Sequence, residues 1–195
     1  HYFDKTPGRK RKCPQCGQDI FPTWLDQETG KLILTEKEKG RLKSLKGDIS
    51  FLNRMQQEFE RIGMSADEFD KACYKWRDQF PKRSWQDFIF TMASELHYRY
   101  PGNRELHKAL YQIEIRVMIE EGKNPAHIQK LFHRIELEEI KDTGLDFKIV
   151  VIPTKTSCPS CKELAKSPLT IDQALRVQPL PCKKCSHEIG YCRCV

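Results

Sequence analysis

Cys158-Pro-Ser-Cys161, Cys182-Lys-Lys-Cys185 and Cys192-Arg-Cys194 crowd the last part of this chain, and a matching Cys13-Pro-Gln-Cys16 stands near its start. A Cys-x-x-Cys turn can set two thiolates on one tetrahedral ion, and two such pairs complete a closed four-sulfur site. Four tight pairs therefore predict metal. The candidate ligands are Cys13, Cys16, Cys158, Cys161, Cys182, Cys185, Cys192 and Cys194. Two pairings satisfy the spacing. In one, Cys158 and Cys161 join Cys182 and Cys185, which leaves Cys13 and Cys16 to meet Cys192 and Cys194. In the other, the tail closes on itself through Cys182, Cys185, Cys192 and Cys194, and the first knuckle pairs with Cys158 and Cys161. Zn2+ in two structural sites is the expected cofactor, because proline-stiffened turns suit a closed site and no redox partner stands nearby. Four thiolates also suit an iron–sulfur cluster. Four sulfurs leave no position for water, so such a zinc is structural. His187 could replace one cysteine but reads as a surface residue.

The 195 residues are only 38% hydrophobic, which suggests that something besides apolar burial holds part of the chain together. The formal charge is +7 with 34 basic against 27 acidic residues. Eight thiolates on two zinc ions would offset about four of those charges, so net basicity is a weak argument for nucleic acid. Nine cysteines in a secreted chain would suggest disulfides, whereas these close spacings point to a reducing, intracellular compartment, cytoplasmic or nuclear. No stretch approaches the ~20 apolar residues of a membrane span.

Outward from the cysteines, the middle of the chain reads as helix. The expected fold is mainly α, an irregular helical bundle flanked by a small N-terminal β-hairpin with its zinc knuckle and by a cysteine-rich, zinc-binding C-terminal tail. The domain boundaries fall at 1–34, 35–144 and 145–195, with the last region packed with the N-terminal knuckle. Gly40 and Gly47 make the first helix uncertain; Leu52, Met55, Phe59 and Ile62 line its face until Gly63. Ser65 with Glu68 and Ser84 with Asp87 have the form of capping boxes. Phe69, Ala72, Cys73, Trp76 and Phe80 make one stripe; Trp85, Phe88, Ile89, Met92 and Leu96 make the next. Asn103 caps a helix bearing Leu106, Leu110, Ile113 and Val117. Asn124-Pro125 opens a last one bearing Ile128, Leu131, Phe132 and Ile135.

Ile20 to Leu34 suggests a hairpin turning near Thr29-Gly30, and Leu145 to Ile152 suggests a strand. Beyond it, four prolines leave room for one short helix, Thr170 to Val177. Cys73, the ninth cysteine, lies on an apolar stripe and is expected to be a buried small residue.

Arg9, Lys10, Arg11 and Lys12 form a basic run ahead of the first knuckle, and Lys183, Lys184 and Arg193 are interleaved with ligands. Metal would hold the latter rigidly, where they can meet phosphates or simply offset thiolate charge. Asp146-Phe-Lys148 has the acid-x-Lys form of metal-dependent nucleases, with Glu139 and Asp142 close upstream. Tyr98, Tyr100 and Trp85 could stack on bases but more readily read as core.

The tail also resembles that of minor head proteins of tailed phages, which carry a Cys-x-x-Cys, a proline-rich stretch and a closing Cys-Arg-Cys. Here these are Cys158-Pro-Ser-Cys161, Pro179-Leu-Pro181 and Cys192-Arg-Cys194; the inserted Cys182 and Cys185 and the spacing of His187 depart from that pattern. The likeness covers under a fifth of the chain and implies an assembly role. The expected function is a zinc-stabilised nucleic-acid-binding module, with DNA or RNA as partner. A nuclease built on Asp146 and Lys148 is the enzymatic alternative, and a structural or assembly protein with a protein partner, phage-related on the likeness of its tail, is the third.

Overall fold

The computed structural model describes residues 10–13, 16–24, 31–155 and 157–186. Among these the protein is mainly helical, with seven helices. The chain divides into two compact units, His1–Gln57 and Glu58–Val195.

In the first unit β1 (Arg11–Lys12), β2 (Asp19–Trp24) and β3 (Lys31–Thr35) form an antiparallel sheet in that order, with Arg11 opposite Ile20 and Ile20 opposite Thr35. The turn expected near Thr29-Gly30 lies outside the described residues. Between β1 and β2, Cys13 donates its N–H to the Gln18 carbonyl and accepts from Gly17 N–H. Gly17 has φ +70°, the left-handed conformation that a glycine adopts without a Cβ penalty.

α1 (Glu36–Arg61) runs through both Gly40 and Gly47. A helix-interior glycine costs about 1 kcal/mol relative to alanine, too little to break a 26-residue helix whose Phe51, Met55 and Phe59 are buried at successive turns. Within the second unit α2 (Ala66–Gln79) and α3 (Trp85–Arg99) begin at Ser65 and Ser84, each with both bonds of a capping box. Phe59 and Phe69 stand 5.7 Å apart, Phe69 and Phe88 5.7 Å, and Trp76 and Phe88 5.8 Å between ring centroids, an aromatic core joining α1, α2 and α3. Phe80, expected on that stripe, is exposed.

α4 (Arg104–Glu120) starts where Asn103 accepts from Leu106 N–H, and it buries Leu110, Ile113, Val117 and Met118. It packs between α3 and α5 (Ala126–Asp142). Asn124 accepts from Ala126 N–H, but the helix starts one residue later than expected: Pro125 is the N-cap, not the first helical residue, and Ala126 opens α5. Leu131, expected inside, is exposed, and Leu137 is buried. Lys108 to Glu139 and Arg104 to Asp142 tie α4 to α5 at the surface.

The strand expected over 145–152 shrinks to β4 (Lys148–Ile149), which pairs with β5 (Leu169–Thr170) in a two-stranded antiparallel sheet. Two helices follow the bundle. α7 (Ile171–Val177) has a Thr170–Gln173 capping box and packs on α5. α6 (Pro159–Leu164) is a correction to the single-helix tail, since Pro159 fills the first helical position, where its missing N–H costs nothing.

Candidate metal centre

The approach to α6 aims the first cysteine. Ser157, buried, accepts a 2.7 Å hydrogen bond from Thr154 N–H and donates its own N–H to the Thr154 carbonyl. Cys158 is then the N-cap of α6, and Cys161, one helical turn on, falls on the same side. The second strand of the site arrives through Leu180 and the cis Leu180–Pro181 peptide. There Cys185 N–H donates to the Cys182 carbonyl at 3.1 Å, closing the turn that carries Lys183 and Lys184.

These two turns bring three sulfurs together. Cys158 Sγ lies 3.5 Å from Cys161 Sγ and 3.9 Å from Cys185 Sγ, and all three lie within 4.8 Å of one another. A zinc–sulfur bond of about 2.3 Å with tetrahedral angles requires sulfurs about 3.8 Å apart, whereas a disulfide needs about 2.05 Å. The two short separations suit a shared ion and exclude a disulfide, and the group of three can hold a metal. Val151, Cys158, Cys161 and Leu180 form a buried apolar cluster with Leu164, Cys182 and Cys185 packed against it, which would limit the access of water to a bound ion.

The electrostatics favour thiolate. The backbone N–H of Ser186, and secondly that of Cys161, donate to the Cys158 sulfur and hold its thiol at about 6, below the ordinary 9.0. The thiolate is the form that binds metal.

The remaining expected ligands are placed unequally. Cys182 packs against the cluster, yet its sulfur stands outside the group of three. Cys13 is buried and Cys16 exposed on the connection between β1 and β2. Cys192, Cys194 and His187 lie outside the described residues, as do Arg9 and Arg193. Of the expected phosphate contacts, Lys183 and Lys184 are exposed. Lys10 and Lys12 approach Asp19 at 3.0 and 4.0 Å, and nothing is described of the Arg11 side chain.

Asp146 and Lys148 are exposed, and Asp146 precedes the strand on which it was expected. The upstream acids are engaged elsewhere, Glu139 with Lys108 and Asp142 with Arg104. Among the described residues the three cysteines are the only group of three or more His, Cys, Asp or Glu that could hold a metal. Cys73 is half-buried; burial, and secondarily Asp70, push its thiol up to about 11, so it is no nucleophile. Tyr98 and Tyr100, read as core, are exposed.

Sequence reasoning missed two features. Glu114 is buried on α4 with its Oε2 3.7 Å from His97 Nε2, too far for a hydrogen bond. Its place in an otherwise apolar helical register was the only available signal. The run 145–152 leaves Leu145, Phe147, Val150 and Ile152 exposed, where alternation alone cannot say which face is covered. No protein-family model, curated protein or solved structure matches this chain, so the likeness to phage minor head proteins rests on its few tail residues alone.

Proposed function

We propose that this protein is a metal-stabilised nucleic-acid-binding module in which Zn2+ clamps the C-terminal turns and presents their lysines to phosphate. The observation that carries this reading is the position of Lys183 and Lys184, both exposed, on the turn between Cys182 and Cys185. An ion held by Cys158, Cys161 and Cys185 would fix that turn, so the entropy of ordering it is lost on metal binding and not on meeting the ligand. Lysines act here as point charges on the backbone and confer no base preference. Cys182, packed against the same cluster and on the same turn as Cys185, is the fourth ligand of this reading.

The test is binding of DNA and RNA oligonucleotides to zinc-loaded protein across a salt series. Affinity should fall steeply with salt, and Lys183→Ala with Lys184→Ala should flatten the slope by about two phosphate contacts. Binding that ignores salt, or that survives unchanged in the double variant, overturns the reading.

A structural or assembly role is favoured by a different observation, the four exposed apolar side chains between Leu145 and Ile152. Such runs mark protein contacts more often than phosphate contacts.

A further inference from the structure

The sheet formed by β4 and β5 floors a crevice of about 590 Å³. Its aliphatic walls are Ile149 and Leu169, paired across the sheet, with Val151, Leu164, Val177 and Pro179, while Ser160, Ser167, Gln178 and Cys182 add small and polar groups. Lys183 and Lys184 also line it. The volume lies in the range of sites that bury a ligand. Three features restrict what fits. The lining contains no aromatic ring on which a nucleobase could stack, which disfavours a splayed-out base. The lysines are exposed, and the one acidic residue of the lining, Glu163, already accepts from Lys166 at 2.7 Å, so among the described residues the carboxylate of the lining is engaged away from Lys183 and Lys184. The sheet has only two strands, so β4 and β5 each keep an outer edge without a strand partner among the described residues.

We propose that this crevice docks an extended segment of a partner protein in which an aliphatic side chain stands next to acidic residues. The aliphatic side chain fills the crevice over Ile149 and Leu169. Its neighbouring carboxylates meet Lys183 and Lys184. Main-chain groups of the segment can pair with an open strand edge, the arrangement by which exposed sheets capture peptides. The exposed Phe147, Val150 and Ile152 on the same run supply further apolar area that a partner would cover. This reading does not depend on nucleic-acid binding, although it uses the same two lysines.

The experiment uses the whole zinc-loaded chain and a fluorescent peptide, acetyl-Val-Asp-Leu-Asp-Val-amide, followed by anisotropy and by amide chemical-shift mapping. A control peptide carries Lys for each Asp. The acidic peptide should bind, should shift the amides of Ile149, Leu169 and Val177, and should lose about tenfold in affinity on Val177→Asp. Val177 is about half exposed at the end of α7, so that change does not demand a new buried charge. Lys183→Glu with Lys184→Glu should weaken the acidic peptide and not the basic one. The proposal is overturned if the acidic peptide does not bind, if both peptides bind equally, or if Val177→Asp leaves binding intact. It is equally overturned if poly-dT, and not the peptide, shifts the crevice amides.

Discussion

The sulfur atoms of Cys158 and Cys185 lie 3.9 Å apart although 27 residues separate them in sequence. Two uncoordinated thiols gain little from such an approach, whereas two thiolates on one ion require it. We therefore expect purified, reduced protein to contain tightly held zinc. Cys158→Ser, Cys161→Ser or Cys185→Ser should each abolish it at that site, read by elemental analysis against protein concentration. Chelation should loosen residues 157–186 while the Phe59–Phe69–Phe88 core keeps its near-ultraviolet signal. A chain that keeps amide-exchange protection at Cys161 and Cys185 without any metal would sink the assignment.

Cys182 supplies a sharper test of ligand number. Replacing zinc by cobalt reports the donor set through its visible bands, since four sulfurs and three sulfurs with one oxygen differ in energy and intensity. Wild-type protein should give the four-sulfur spectrum, and Cys182→Ser should convert it to the three-sulfur type with weaker but measurable binding. An unchanged spectrum in Cys182→Ser would assign the fourth position to another residue.

The other thiol in the helical unit should behave in the opposite way. With Cys73 raised to about 11 by burial and the nearby Asp70, little thiolate exists at mildly alkaline pH. Iodoacetamide mapping of native protein should therefore leave Cys73 unmodified, and denatured protein should be labelled there. Fast native labelling of Cys73 would contradict the burial.

How much of this was legible in the sequence depends on the range of the interaction. Ser65–Glu68, Ser84–Asp87 and Thr170–Gln173 are local, and the caps of α2 and α3 appear where their residues place them. Gly40 and Gly47 mislead because a local propensity of about 1 kcal/mol per glycine is small beside the burial of Met55 and Phe59. The gathering of Cys185 with Cys158 and Cys161 could be proposed but not chosen from spacing, because the rival pairing satisfied the same rule. Nothing local announced that Tyr98 faces solvent or that Glu114 faces inward: both depend on which helix covers which face.

The cap at Ser65 predicts a pH dependence with a definite sign. The Ser65 hydroxyl, and then its N–H, donate to Glu68 and hold that carboxyl below its ordinary range. A carboxyl lowered in the folded state contributes stability above its unfolded value and loses it as pH falls through the folded one. Ser65→Ala should destabilise the protein by about 1 kcal/mol at neutral pH, and the difference from wild type should narrow in acid. Thermal melts at the two pH values measure it; a gap that widens in acid reverses the sign and contradicts the capping box.

The buried pair on α3 and α4 gives an asymmetric prediction. Among the described residues Glu114 Oε2 has no hydrogen-bond partner and neither nitrogen of His97 has one, yet the two groups face each other at 3.7 Å. His107 meets His97 edge-on and Tyr111 lies tilted over it, with centroids 4.7 and 4.5 Å away, and desolvation, with Glu114 as the second cause, raises the Tyr111 hydroxyl. Removing one member of a buried polar pair strands the other, at a cost of about 1–3 kcal/mol, whereas replacing both by apolar residues is often neutral or stabilising. A carboxyl group costs more to bury without a partner than an imidazole does. His97→Leu should therefore destabilise more than Glu114→Met, and the double variant should recover most of the loss. Denaturant melts of the three variants decide it: additive losses, with the double variant the least stable, would show that His97 and Glu114 do not act as a pair.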